Sequence, residues 1–164
     1  MLTDLLDRPR DLERALDKLY GVVTSHTPSL VVYTDGSCLN TPAGRRAGAG
    51  IYWGPRAARN RAFRVPGKQT NNRGELYAIL IALHETDPAR TLTVFTDSQY
   101  CILTLGRYVL SFEQCGWRCE NADILQDIVA HIRRRSAAVR LHWVKGHSSD
   151  TYNDGSDSKA KEGA

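Results

Sequence analysis

No apolar run in the 164-residue sequence approaches the roughly 18 residues that a membrane-spanning helix needs. The N-terminal residues also lack the apolar core of a secretion signal. These absences predict a soluble protein that is not secreted and has no membrane partner. The same segment carries Asp4, Asp7, Asp11, Glu13 and Asp17, whereas transit peptides avoid acids. Mitochondrial import is therefore not expected, and the predicted location is intracellular, nuclear or cytoplasmic. Cysteine is sparse, and Cys38, Cys101, Cys115 and Cys119 show no paired metal-ligand spacing, so free thiols are expected rather than a zinc site. There is no Walker-type glycine loop, no GxGxxG and no serine nucleophile with a paired histidine, which leaves metal chemistry favoured over covalent catalysis.

What is present fits an ordinary globular domain, with 41% hydrophobic and 24% charged residues, enough to build a core at this length. The formal net charge of +4 favours a polyanionic partner without identifying one. Arg133, Arg134 and Arg135 have a plainer use as well, because cations near a helix C-terminus complement its dipole.

Leu2, Leu5, Leu6, Leu12, Leu16, Leu19, Tyr20 and Val23 fall at roughly helical spacing, which predicts an amphipathic helix over residues 2–23 packed on something. Residues 24–29 read as a linker, so the chain divides into an N-terminal helix and linker over 1–28 and a main domain over 29–164. Strands are expected at 29–35, 48–54 and 61–65, separated by turn residues that suit an antiparallel meander. Leu76, Ile79, Leu80 and Leu83 mark the buried stripe of a helix ending near His84, with Glu75 in its first turn. A strand at 91–96, helical segments at 98–110 and 122–135, a strand at 139–144 and a helix from Asn153 complete a mixed α/β order. Helical crossovers after the meander require parallel neighbours, and ligands of such sheets bind beyond the carboxyl ends of the strands.

The stretches VVYTDGS (31–37) and LTVFTDS (92–98) both run from apolar residues into Thr, Asp and a small residue. One such aspartate is commonly a turn former. Here Asp35 and Asp97 both end predicted strands, Glu75 opens the helix between them, and Asp157 lies on the last helix. Gathering acids in one cleft is electrostatically unfavourable unless a cation offsets the repulsion, and hard oxygen ligands suit Mg²⁺ or Mn²⁺. Two Mg²⁺ ions about 3.5–4 Å apart, with Mn²⁺ as a substitute, would activate a water and stabilise the leaving oxygen in a displacement at phosphorus.

The motifs YTDGSCLN, QTNNRGELYAI, FTDSQY, HWVKGH and NDGSDSKAKEGA resemble, in order, the successive motifs of type 1 ribonuclease H over about residues 29–164. The resemblance implies an α/β ribonuclease H-like fold with a five-stranded mixed sheet flanked by helices. It also implies a metal-dependent endonuclease that cuts the RNA strand of RNA/DNA hybrids. Under it, Asp35 would bridge both metals, Glu75 and Asp97 would hold one, and Asp157 would hold the other. His147 matches a mobile-loop histidine that assists water or product movement. Asn40, Asn71, Asn72 and Gln99 match positions that contact the RNA strand; their plainer reading is turn formation or, for Asn72, helix capping. Thr70 and Asn121, with Lys68, match a pocket for a DNA-strand phosphate, and Asn121 has an equal alternative as an N-cap. Tyr100 and Trp117 match residues lining the DNA-strand channel and its protruding handle.

Two departures from that pattern matter. Glu113 and Gln114 stand where many relatives carry lysines, and the segment after Trp117 is short. Residues 1–28 do not resemble the hybrid-binding module that precedes many eukaryotic catalytic domains. The N-terminal helix has three open roles: covering the sheet, dimerising, or being the remnant of a preceding domain such as a reverse transcriptase in a larger polyprotein. A monomer is the expected state. Two competing readings are a catalytically silent ribonuclease H-like binding module and a resolvase- or transposase-type nuclease acting on DNA. Fewer handle cations mean fewer phosphate contacts, so hybrid binding is expected to be weak with a shallow dependence of log K on log salt. A salt titration of hybrid affinity checks this, and tight binding with a steep slope would contradict it.

Overall fold

A computed structural model describes residues 10–146 and 151–164, together with the backbone of Leu2 and Thr3. The elements are β1 (Leu2–Thr3), α1 (Arg10–Tyr20), β2 (Leu30–Thr41), β3 (Gly44–Tyr52), β4 (Arg61–Arg64) and α2 (Asn71–His84). They continue with β5 (Leu92–Thr96), α3 (Gln99–Leu103), a π-helical stretch (Thr104–Tyr108), α4 (Val109–Gln114), α5 (Ala122–Arg133), β6 (Val139–Trp143) and α6 (Thr151–Gly163). The sheet order is β1-β6-β5-β2-β3-β4. β2, β3 and β4 form the expected antiparallel meander, and β5 lies parallel between β2 and β6. The helices fill the crossovers between β4, β5 and β6, since parallel neighbours cannot be joined by a tight turn.

These five strands and their helices are the mixed sheet that the resemblance implied. The two-residue β1 was not anticipated; it adds to the β6 edge at Val139 and Arg140. Of the helix expected over 2–23, the described residues show α1 over Arg10–Tyr20, ending before Val23, while Leu2 and Thr3 are strand instead.

A second correction concerns β2. It does not end at Asp35 but runs six residues further, to Thr41. Asp35, Gly36 and Ser37 find antiparallel partners in Gly50, Ala49 and Gly48, so the Asp-Gly pair is a ladder segment and not a turn. What does end there is the parallel ladder to β5, whose last pair is Tyr33 with Phe95. Asp35 therefore sits two residues beyond the point where β2 and β5 part. The second crossover helix also runs on to Gln114 rather than residue 110, its hydrogen bonds re-phased through the π-helical stretch.

The small residues of GAGIY have a packing reason. A Cβ at Gly48 would lie 2.1 Å from the Ala160 carbonyl oxygen, and one at Gly50 would lie 2.2 Å from that of Ser156. The α6 backbone thus rests directly on β3, which aims its first turns at the end of the sheet where Asp35 lies.

α1 packs mainly on α5 and α4. Its Leu16, Leu19 and Tyr20 are buried in the same apolar cluster as Ile124, Ile128 and Leu141. The Tyr20 hydroxyl donates to the Leu105 carbonyl at 2.7 Å, and Arg133 Nε donates to the Leu19 carbonyl. No helix among the described residues is long and apolar enough to cross a membrane. Leu19→Ala is expected to lower stability by about 3 kcal/mol in a single urea transition seen alike by fluorescence and circular dichroism. A change below about 0.5 kcal/mol would show α1 to be only loosely attached.

Candidate active site

Three elements deliver acids to one point. Asp35 comes from β2 where the sheet splits, Asp97 directly follows β5, and Glu75 lies in the first turns of α2. The N-terminal turns of α2 come this close because of Gly36: a Cβ there would sit 2.2 Å from the Glu75 backbone nitrogen. One oxygen of each of Asp35, Glu75 and Asp97 lies within 4.8 Å of the others. Asp35 and Glu75 are buried, at 6% and 4% exposure. Asp157, on α6, is close enough to Asp35 to act on its ionisation. All four acids line one open cavity of about 320 Å³ together with Asn71, Asn153, Asp154 and Lys161.

The surrounding donors only partly satisfy this cluster. Gly36 N–H donates to Asp35 Oδ1 at 2.9 Å, Asn71 Nδ2 to Glu75 Oε1 at 3.3 Å and Asn153 Nδ2 to Asp97 Oδ2 at 3.2 Å. Trp143 Nε1 fixes the Asp97 backbone carbonyl at 3.0 Å. Glu75 Oε2 is buried and has no hydrogen-bond partner among the described residues. Burial first, then the neighbouring Asp97 and Asp157, push the Asp35 carboxyl up to about 7. Burial, then Asp35 and Asp97, push Glu75 well above the usual carboxylate range. An orphaned buried carboxylate oxygen, hard oxygen ligands and mutual repulsion fit a divalent cation, which would replace the missing positive charge.

Sequence reasoning missed Lys161 and Asn153. Lys161 Nζ donates to Asp157 Oδ2 at 2.6 Å, and that bond raises the pKa of the lysine. The signal was available, since residues 153, 157 and 161 share one helix face at a spacing of four.

The other predicted site residues spread around this centre. Asn71 lies in the cavity wall, while Asn72 follows it exposed on α2 and Asn40 stands exposed on the β2–β3 hairpin. The cap of α2 is Thr70, whose Oγ1 accepts from Arg73 N at 3.3 Å, so the capping alternative for Asn72 fails. Gln99 is exposed at the start of α3. Lys68 is exposed and pairs with Glu120 at 3.3 Å. Asn121 occupies the N-cap position of α5 in a left-handed conformation, φ 58°, but its side chain makes no cap bond. It bonds instead to Arg73 and Tyr100. Trp117 lies away from the acids, lining a separate groove with Gln126, Val129 and Arg133. His147 falls outside the described residues.

Comparison with known proteins agrees with this arrangement. Residues 27–164 match the family described as RNase H. Ribonuclease H1 of Homo sapiens is 36% identical over 143 residues, covering 82% of this chain and 50% of that protein. Ribonuclease H of Schizosaccharomyces pombe is 37% identical over 141 residues, covering 82% and 52%. Ribonuclease H of Afipia carboxidovorans is 31% identical over 142 residues, covering 83% and 93%. The crystal structure of LC9-RNase H1, a type 1 RNase H with the type 2 active-site motif, is similar with a TM-score of 0.68 at 28% identity, over 85% of this chain and 73% of that one. The chain spans about half the length of its human and S. pombe relatives.

The electrostatics set a pH dependence. Asp35 and Glu75 have folded-state pKa values above their ordinary ones, so their contribution to stability is present at acid pH and is lost as pH rises through about 7. Asp123, held down to about 2 by its bond from Arg73, titrates below this window. His131, lowered from 6.5 by burial, opposes the trend below that pH. In chelator, the melting temperature should therefore fall as pH rises from the ordinary carboxyl value of 3.8 to about 7, and Asp35→Asn should flatten that fall. Mg²⁺ or Mn²⁺ should raise it more at the alkaline end. A flat profile in chelator with no metal response would contradict the reading of the cluster.

Proposed function

This chain belongs to the ribonuclease H family, and from that premise we propose that it is an endonuclease hydrolysing the RNA strand of RNA/DNA hybrids. The observation that carries the proposal is the convergence of Asp35, Glu75 and Asp97 within 4.8 Å, with Asp157 in the wall of the same cavity. The family depends on divalent metal, and Mg²⁺, with Mn²⁺ as substitute, is the ion proposed here. Asp35, Glu75 and Asp97 would hold one ion, and Asp35 with Asp157 a second. Bound there, the ions supply Lewis acidity toward a phosphoryl oxygen and lower the pKa of a water.

The chain's own residues supply position and access. Asn153 and Trp143 hold Asp97 from its side chain and its backbone, so its carboxylate keeps one direction through turnover. Lys161 pairs with Asp157 at the cavity wall. Asn71 reaches into the cavity and is bonded to Glu75, which aligns it for hydrogen bonds to an RNA strand beside the acids. Such bonds to ribose 2′-hydroxyls distinguish RNA from DNA without reading bases. At the N-terminal end of α2, Lys68, Thr70 and Asn121 form the proposed pocket for a phosphate of the DNA strand. Two strands gripped by different chemistry explain selection of a hybrid over either pure duplex.

Cleavage of labelled RNA/DNA, RNA/RNA and DNA/DNA duplexes with Mg²⁺ or Mn²⁺ and in chelator tests the proposal. Only the RNA strand of the hybrid should be cut, and only with metal. Asp97→Asn should lower cleavage at least about a hundredfold while hybrid affinity stays within about threefold, because the phosphate-contact surface remains. Retained cleavage by this variant would refute the assignment. Hybrid binding with no cleavage by the wild-type chain would favour the silent binding module.

A further inference from the structure

Arg73 is a buried cation, 7% exposed, that the chemistry at the carboxylates does not use. Its Nη1 donates to Asp123 Oδ1 at 2.9 Å and its Nη2 to Asp123 Oδ2 at 2.5 Å. Nε donates to the Pro66 carbonyl at 2.6 Å, and Nη1 also to Asn121 Oδ1 at 3.3 Å. Four of the guanidinium's five donors are thereby committed inside the protein. The carboxylate of Asp123 balances its charge, so Arg73 is not itself placed to bind an anion. What it does instead follows from its lacking any acceptor.

A donor-only neighbour dictates which way an amide points. The Asn121 atom facing Arg73 has to be the oxygen, so the NH₂ group points away, where the Tyr100 hydroxyl accepts at 3.3 Å. That NH₂ has two hydrogens, and the bond to Tyr100 uses one. The second is directed by the same amide plane and has no acceptor among the described residues. Asn121 is itself only 9% exposed, and its left-handed backbone keeps the side chain from capping α5. Arg73 also joins the three segments concerned: Pro66 precedes Lys68 and Thr70 in the loop, Thr70 caps α2 through the Arg73 N–H, and Asp123 anchors the first turn of α5.

Resting on the phosphate-pocket reading given above, we propose that Arg73 is a positioning residue for substrate: it locks the Asn121 amide with its donor outward and holds the Lys68–Thr70 loop against α5, so that these groups converge on one DNA-strand phosphate. Charge is not the means, because Asp123 cancels it. Orientation is.

The test uses the full chain and hybrids in which a single neutral methylphosphonate replaces one phosphate, moved stepwise along the DNA strand. Affinity is read in chelator rather than turnover, so that metal loading does not enter. For wild type, neutralisation at one position should weaken binding by about tenfold, the worth of one charge-assisted hydrogen bond. Arg73→Lys, which retains the charge but loses the fork, should bind the unmodified hybrid about tenfold more weakly and should no longer respond to that substitution. Asp123→Asn leaves Arg73 in place with one partner weakened and is the second variant, expected to reduce the position-specific penalty by at least half. A full penalty retained by folded Arg73→Lys overturns the proposal. If that variant does not fold, a full penalty retained by Asp123→Asn overturns it. A wild-type chain with no sensitive position would overturn the pocket itself, and the role of Arg73 with it.

Discussion

Three carboxylates are held within 4.8 Å of one another by a fold that gives them too few donors. Like charges at such separations repel strongly once partly removed from water. Only two remedies are open to the protein: uptake of protons, visible in the raised pKa values of Asp35 and Glu75, or recruitment of a cation. The remaining architecture can be understood as what forces the acids together despite this repulsion. Gly36 lets the start of α2 reach β2, glycines in β3 let α6 lie flat on the sheet, and the parting of β2 from β5 opens the space into which the acids converge. The stabilisation that opposes the repulsion comes from one continuous apolar core extending from α1 to β6.

A second buried charge lies a short distance along α2 and has the opposite fate. Arg73 has acceptors for four of its five donors and a carboxylate to balance its charge, so burying it creates order rather than an unmet demand. The contrast separates the two roles on physical grounds. An ionised group whose charge is balanced by a bonded partner fixes its neighbours in place, whereas a cluster with an orphaned oxygen has a binding function still to perform. Glu75 and Arg73 are two residues apart in sequence, and α2 turns one toward the carboxylate cavity and the other toward α5.

Much of the secondary structure was legible because it rests on local periodicity. The stripe of Leu76, Ile79, Leu80 and Leu83 encodes α2, and the apolar runs before Asp35 and Asp97 encode β2 and β5. The errors arose where a distant partner overrode a local preference. Asp35-Gly36 has turn chemistry, but the ladder offered by Gly50 and Ala49 carried β2 onward. Asn121 has capping chemistry, but Arg73 and Tyr100 drew its side chain elsewhere. The leucines near the N-terminus have helical spacing, yet Leu2 and Thr3 found a place on the edge of β6.

The sequence by itself determined the identity and order of the acids, the hard-ligand chemistry they impose, and the family to which five ordered motifs assign the chain. Those properties depend on side-chain type and local spacing, which are written along the chain. Only the tertiary structure decided that Asp35 lies at the split of the sheet rather than at the end of its strand, that Glu75 keeps an oxygen with no hydrogen-bond partner among the described residues, and that Lys161 pairs with Asp157 at the cavity wall. It alone joined Arg73 to Asn121 and Asp123, 48 and 50 residues away. Such contacts are set by how helices settle on a sheet, and the register of that packing is a property of the whole core rather than of any segment within it.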